Sequence, residues 1–215
     1  MVQLFNLRTG QFEDALLACP IEQQDIDCYS GQWRPLIDDK VQELRAHDRY
    51  TREGLGEFHI QDASWEWPEK FADRAGQLGW SSMAVRCDGR TQGMMYLNLL
   101  RRCRLPDQAH QHSVYVELLA KAPWNRATLV EGPQYAGIGI VMMAEAIQAS
   151  IDEGFSGRVG LHALPQADDF YEKKCGMTKM GADAGFGGLT YFEFASEDAQ
   201  KFLWDPEPDP EVPHA

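Results

Sequence analysis

The sequence is poor in paired cysteine, in positive charge and in long apolar runs. Its five cysteines, Cys19, Cys28, Cys87, Cys103 and Cys175, are scattered and contain no Cys-x-x-Cys pair. An odd, unpaired set excludes a disulfide framework or zinc knuckle as the organising device and reads as reduced, mostly structural thiols. No apolar run approaches the roughly 18 residues that a membrane span needs, so no membrane partner is expected. The opening stretch MVQLFNLRTGQFED has no basic segment followed by an apolar one, so no secretory leader is expected and the cytoplasm is the expected compartment. Lysine and arginine number 20 against 33 acidic residues, a formal charge of −13. That balance argues against nucleic acid as a partner, because such binding wants a basic surface. It favours solubility and permits steering of a cationic substrate such as an amine. His59, His110 and His112 lack acidic partners at ligand spacing, so no metal site is expected.

What the chain does contain is material for a core. Hydrophobic residues make up 44% and aromatics 11% of 215 residues, which suits one large domain or a domain with an elaborated arm. No internal repeat is visible. Residues 1–80 read as a loop-rich arm with helical pieces, one over Pro35–Tyr50 with Leu36, Ile37, Val41 and Leu44 at helical spacing, another opened by Pro68 and closed by Gly79. Residues 81–204 read as the main body. A hairpin turns at Asp88-Gly89, a third strand follows at Ser113–Ala122, and the three predict an antiparallel meander. A helix comes next, with Ile140, Met143, Ile147 and Ile151 on one face. Then come a buried strand at Gly157–Leu164, a short helix PQADDFYEKKC, a strand LTYFEFA and a helix opened by Ser196. The strand–helix–strand piece over residues 113–164 predicts a right-handed parallel crossover. The fold class is therefore α/β (α+β mixed), with a central mixed sheet and helices on both faces. The tail DPEPDPEVPHA, in residues 205–215, reads as disordered.

The stretch GPQYAGIGIVMMAEAI sets two glycines, Gly137 and Gly139, at a helix start. A P-loop needs Gly-Lys-Ser/Thr, which is missing, and a dinucleotide fingerprint needs a third glycine where Met142 stands. Two readings remain. The free N–H groups of a helix N-terminus, aided by its dipole, form an anion cradle; alternatively, the glycines serve packing alone.

Gln134-Tyr135-Ala136-Gly137-Ile138-Gly139 resembles the Q/R-x-x-G-x-G/A motif of the GCN5-related N-acetyltransferase (GNAT) superfamily. Downstream, FYEKKCGM (Phe170–Met177) is similar to that family's second signature, at the family's spacing. The resemblance covers residues 80–195 and points to a bacterial member of unassigned substrate. It implies a GNAT-like fold and an acetyl-CoA-dependent N-acyltransferase, moving an acetyl group to a primary amine of a small molecule or peptide by direct attack in a ternary complex. Acetyl-CoA would be the acyl donor, with no metal, and the protein a monomer or homodimer. It also implies that the turn from Gln134 through Tyr135, Ala136, Gly137, Ile138 and Gly139 to Ile140 holds the pyrophosphate. Leu118, Leu119 and Ala120 would pair with the pantetheine arm through their main chain, and Lys174 would face the CoA phosphates. Ten residues separate Pro123 from Gln134, more than a typical member has; Gln134 replaces the commoner arginine, Leu164 stands where many members carry asparagine, and the second signature has an extra lysine.

Acyl transfer to an amine needs a proton acceptor, a donor for the oxyanion and a donor for the leaving thiolate. By resemblance Tyr171 is the general acid, against a packing role. Glu117, inside an apolar strand run, is read as base or amine anchor, or as a solvent-facing residue. His162 is read as a core or sheet-face histidine able to titrate near neutrality. Trp124, Asn125, Arg126, Trp65 and Trp67 could line an acceptor pocket, with core packing the competing reading for the tryptophans. A non-catalytic acyl-CoA-binding or partner-binding module is the alternative function. A toxin acetylating aminoacyl-tRNA is a third reading, against which the acidic charge counts.

Overall fold

The computed structural model describes residues 2–204; the acidic tail expected to be disordered lies outside the described residues. Among the described residues nine strands form one mixed sheet: β1 (Val2–Asn6), β2 (Gln11–Ala18), β3 (Trp80–Cys87), β4 (Arg90–Arg102), β5 (His112–Lys121), β6 (Tyr135–Ala136), β7 (Val159–Ala163), β8 (Thr178–Asp183) and β9 (Leu189–Glu193). Their order is β6-β1-β2-β3-β4-β5-β7-β9-β8. Six α-helices accompany them among the described residues: α1 (Gln23–Cys28), α2 (Arg34–Ala46), α3 (Arg52–Glu57), α4 (Trp67–Arg74), α5 (Ile138–Asp152) and α6 (Ser196–Trp204). No helix among these residues is long and apolar enough to cross a membrane. The chain divides into two compact units. One holds the described residues up to Gln77 with Ser82–Met94 and Ala120–Ile138; the other holds Leu78–Ser81, Met95–Leu119 and the described residues from Gly139 on.

In the first unit, the expectation of a loop-rich helical arm misses a hairpin. β1 and β2 pair antiparallel, Val2 with Ala15 through Asn6 with Gln11, and β2 continues onto β3. α2 buries Ile37, Val41 and Leu44 against Ile60 and Ala63. Leu36, expected on that face, is 42% exposed, because the stripe that meets Ile60 runs through positions 37, 41 and 44. α3 accommodates Gly54 and Gly56 within its span, and its N-cap Thr51 accepts from the Gly54 N–H. Trp33 is fully buried and sits 6.2 Å edge-on from Trp124.

In the second unit, β5 and β7 pair in parallel, with Val114, Tyr115 and Val116 opposite Val159, Gly160 and Leu161, as the crossover predicted. β7 pairs antiparallel with β9, and β9 with β8. β8 is a strand the sequence reading did not assign. Its residues are exposed and glycine-bearing, so it lacks the apolar alternation by which half-buried strands are recognised. α5 buries Met142, Met143, Ala146, Ile147 and Ser150, each fully buried methionine or isoleucine being worth about 1.5–3 kcal/mol. The expected face is rotated: Ile140 is half-buried and Ile151 is 40% exposed. Ser150 takes the buried stripe because its hydroxyl donates to the Arg158 carbonyl, 2.8 Å away.

Candidate functional site

The glycine turn is delivered by a rigid approach. β6 pairs with β1, Tyr135 opposite Asn6 and Ala136 opposite Phe5. The Gln134 N–H donates to the Trp124 carbonyl at 3.1 Å, and the Gln134 carbonyl accepts from the Leu7 N–H at 2.9 Å. The Tyr135 N–H donates to Asn125 Oδ1 at 2.9 Å, and its hydroxyl to Glu13 Oε2 at 2.6 Å. The main-chain N–H groups of Gln134 and Tyr135 are thus committed to the scaffold. At Gly137 the backbone turns left-handed, φ +81°, and a Cβ placed there would meet nothing within 4 Å. The conformation demands glycine; crowding does not. α5 starts at the next residue. Its first N–H groups lack intrahelical acceptors and carry the positive end of the dipole. No carboxylate stands between Gln134 and Val141. An open, left-handed, acid-free turn at the head of a 15-residue helix fits an anion such as a pyrophosphate.

Gly139 has a different role. A Cβ there would come within 2.8 Å of Phe170 Cζ, so the aromatic ring of FYEKKC rests on this glycine. The two readings of the glycine pair are therefore split between its members: the first keeps an open conformation, the second makes room for packing. Within the short helix expected over PQADDFYEKKC, Phe170–Lys174 forms a π-helical turn closed by the Cys175 N–H on the Phe170 carbonyl. Such widened turns recur at functional sites.

No protein-family model matches the sequence, and no curated protein matches it. Solved structures do match. A Desulfovibrio desulfuricans protein assigned to the GNAT family of acetyltransferases aligns over 85% of this chain and 99% of its own, at 12% identity and a TM-score of 0.53. The fold is that of the GNAT acetyltransferases. Spermidine N-acetyltransferase from Vibrio cholerae, solved with CoA and spermine, aligns over 86% of this chain and 98% of its own, at 12% identity and a TM-score of 0.51. A bacterial toxin shares the fold as well, over 92% of this chain and 99% of its own, at 15% identity and a TM-score of 0.51. At such identities the GNAT fold is what is shared, and one fold serves several functions.

On this GNAT fold, Leu118 and Ala120 are buried and Leu119 is half-buried on β5. Alternation places Tyr115, Glu117 and Leu119 on one face of β5 and Val114, Val116 and Leu118 on the other. Glu117 is half-buried, and its Oε2 is buried without a hydrogen-bond partner. A buried oxygen in that state costs free energy and calls for an explanation, such as a ligand donor. Tyr171 is buried, its ring 5.1 Å from Phe170 and 5.9 Å from Phe192. Burial, with Cys175 adding, pushes its phenol well above the usual range, so it stays protonated. Phe192 pairs with Leu161, one residue from His162, which puts Tyr171 and Glu117 on opposite faces of the sheet. Lys174 is half-buried, while exposed Lys173 pairs with Asp169 at 2.9 Å. Burial also pushes the Cys175 thiol up, removing it as a nucleophile.

His162 does more than pack. Its Nδ1 lies 2.7 Å from the Tyr115 hydroxyl and its Nε2 3.0 Å from Asp183 Oδ2, and its ring stacks on Phe186 at 3.7 Å. Arg104 binds the same Asp183 oxygen at 2.5 Å. Tyr115, Asp183 and Arg104 were not singled out from sequence; the one available signal was Tyr115 standing two residues before Glu117 on a strand. Glu193, also missed, is fully buried but satisfied: it accepts from the Arg104 and Leu105 N–H groups, Gln108 Nε2 and the Tyr191 hydroxyl.

The expanded loop corrects one expectation. Trp124 Nε1 and Asn125 Nδ2 both donate to Gln92 Oε1 at 2.8 Å. Arg126, 4% exposed, grips both Asp62 oxygens at 2.7 and 2.6 Å and also donates to the carbonyls of His59 and Lys121. These three residues are buried structural anchors and do not line an acceptor pocket. Trp67 is likewise core, at 1% exposure, with Trp65 edge-on at 6.5 Å.

Proposed function

We propose that the protein is an acetyl-CoA-dependent N-acetyltransferase that acetylates a primary amine of a small molecule or peptide in the cytoplasm. The observation that carries this reading is the division of labour at the glycine turn: Gly137 is left-handed with room where a Cβ would stand, while Phe170 of the second signature seats on Gly139. Two separate sequence signatures meet there in one arrangement, and the turn from Gln134 to Val141 itself contains no acidic residue.

Acetyl-CoA supplies the acetyl group as a thioester. The backbone from Gly137 to Ile140 receives the pyrophosphate, Gln134, Tyr135 and Ala136 shape that turn, and Lys174 adds positive charge near the phosphates. Tyr135 contributes through position, since its own N–H is bonded to Asn125. The main chain of Leu118, Leu119 and Ala120 holds the pantetheine arm. Glu117 receives the amine and holds it for attack. The β5–β7 pairing ends at Val116 and Leu161, so the thioester sits in the gap beyond it, met by the amine from the Glu117 face and by Tyr171 from the other. The new C–N bond forms as the C–S bond breaks; Tyr171, kept protonated by burial, donates to the departing thiolate, and the proton shed by the new amide nitrogen restores the phenol.

The alternative is a module that binds acyl-CoA without turnover. It draws on the aliphatic Leu164 at the position where many resembling proteins carry asparagine, and on the depth at which Tyr171 is buried. Free thiol release from acetyl-CoA over a panel of primary amines separates the two. The acetyltransferase reading expects turnover on at least one amine and a lower kcat in Tyr171→Phe. CoA binding with no turnover on any amine would establish the module instead.

A further inference from the structure

Tyr115, His162 and Asp183 form a continuous hydrogen-bonded chain with a defined direction. An ionised carboxylate only accepts, so Asp183 requires the proton of His162 on Nε2. Nδ1 is then left to accept, and the Tyr115 hydroxyl is its donor across 2.7 Å. The His162 side chain is 2% exposed, and Phe186 lies nearly parallel to its ring, so the imidazole is held in one orientation. Packing alone does not require both ring nitrogens to be engaged in a donor–acceptor order. The open end of the chain is the Tyr115 oxygen, on the same face of β5 as Glu117, whose Oε2 is buried and without a partner.

We propose that Tyr115, backed by His162 and Asp183, takes the proton that the acceptor amine gives up, while Glu117 holds the positive charge of that amine; this rests on the acetyltransferase reading above. As the ammonium proton moves to the Tyr115 oxygen, the Tyr115 proton moves to His162 Nδ1. The nitrogen gains the lone pair with which it attacks, and the phenol is regenerated. The imidazole becomes an imidazolium whose Nε2–H stays on Asp183. One positive charge has moved from substrate to His162. Tyr115 is the catalytic residue of this step, and His162 and Asp183 position it.

The charged surroundings suit this work. Burial is the main cause that holds His162 below its usual value; Arg104 and Arg101 act in the same direction, and Asp183 opposes them. The imidazole is thus neutral and ready to accept at neutral pH. The Arg104 hydrogen bond, then that of His162, keeps Asp183 ionised down to about 2. Burial, then the Glu117 charge, pushes Tyr115 up to about 12, so the phenol passes a proton on and does not dissociate. Arg101 lies over the Tyr115 ring at 5.2 Å and Arg104 over Tyr191 at 4.2 Å, and the Tyr191 hydroxyl is occupied by Glu193.

The test uses the full chain, acetyl-CoA and a panel of a polyamine, free amino acids and a lysine-containing peptide. In wild type, kcat rises with pH along an acid limb as His162 loses its proton. Tyr115→Phe, which removes one oxygen, lowers kcat about 100-fold, the usual scale of a lost proton acceptor, with CoA affinity unchanged. His162→Gln abolishes the acid limb. Asp183→Asn, on edge strand β8, moves the limb to lower pH, because the imidazolium loses its counter-charge. A purely structural role for the chain moves no pH limb. Turnover and pH profiles unchanged in Tyr115→Phe and Asp183→Asn would overturn the relay and leave the acetyltransferase reading standing. Wild-type protein that binds CoA but turns over no amine would overturn both.

Discussion

In the loop before the glycine turn, Trp124, Asn125 and Arg126, with Asp62 as Arg126's partner, have their polar atoms engaged by the protein; on the face of β5, Glu117 leaves a buried oxygen without a partner. Both regions place polar groups out of water, and burial alone does not separate structure from function. Whether the hydrogen bonds close sets Glu117 apart from these anchors, although Ser113 Oγ and Asp168 Oδ1 are open in the same way. Glu193 makes the same contrast within one unit: fully buried, it accepts from two main-chain N–H groups, an amide and a phenol. The closed networks hold the chain in shape, while the open carboxylate is the one proposed to receive the amine.

The largest expected effect comes from opening a closed network. Asp62→Ala leaves the Arg126 guanidinium buried without its counter-charge, and stability should fall by about 3–5 kcal/mol, read from denaturant unfolding. A loss below about 1 kcal/mol, the scale of an exposed pair, would mean the loop does not depend on that pair. Glu117→Gln is next and acts on function. It keeps the shape and removes the charge, so kcat/KM for the amine should drop about 100-fold while stability moves by less than about 0.5 kcal/mol. A large stability loss without a kinetic effect would make Glu117 a structural residue like Glu193.

Gly139→Ala presses a methyl group against Phe170 and should cost about 1–3 kcal/mol; adding Phe170→Leu should recover much of it. Gly137→Ala meets no neighbour but strains a left-handed backbone, costing about 1–2 kcal/mol, and Phe170→Leu should not rescue it. Equal rescue at both glycines would erase the distinction between them. The smallest effect is in the pH dependence of stability. Folded His162 and His59 both bind a proton less readily than when unfolded, burial being the first cause for each. Their contribution is complete above about pH 6.5 and declines as pH falls below it. His162→Gln should make that decline shallower in unfolding experiments run from about pH 7 to 5.

Much of this was legible in the sequence where the pattern is local. The parallel crossover from β5 to β7 follows from a strand, a long apolar helix and a strand in succession, and the glycine turn from two glycines at a helix start. The β1–β2 hairpin was not legible, because Phe12 and Leu16 face outward at 58% and 61% exposure and blur the alternation. β8 was not, because it is an exposed edge strand. The face of α5 was misjudged because Ser150 is buried by a hydrogen bond to Arg158, which no periodicity of apolar residues reveals. At the candidate site, Glu117 stood out as a carboxylate in an apolar run. Its neighbours Tyr115, His162 and Asp183 come from three strands and join through side-chain hydrogen bonds over separations of 47 and 21 residues, beyond the reach of any local pattern. Arg126 reads as a pocket residue from sequence because its partner Asp62 lies 64 residues away.

Acetyl-CoA binding by this protein depends most on the left-handed turn at Gly137 in the proposed function. Titration of CoA by calorimetry into the wild-type chain and into Gly137→Glu tests it directly, with circular dichroism to show that the variant is folded. Wild type should bind and the folded variant should not, because a carboxylate would then stand at the head of α5 where the phosphates should sit. Equal CoA affinity in both proteins would contradict that dependence.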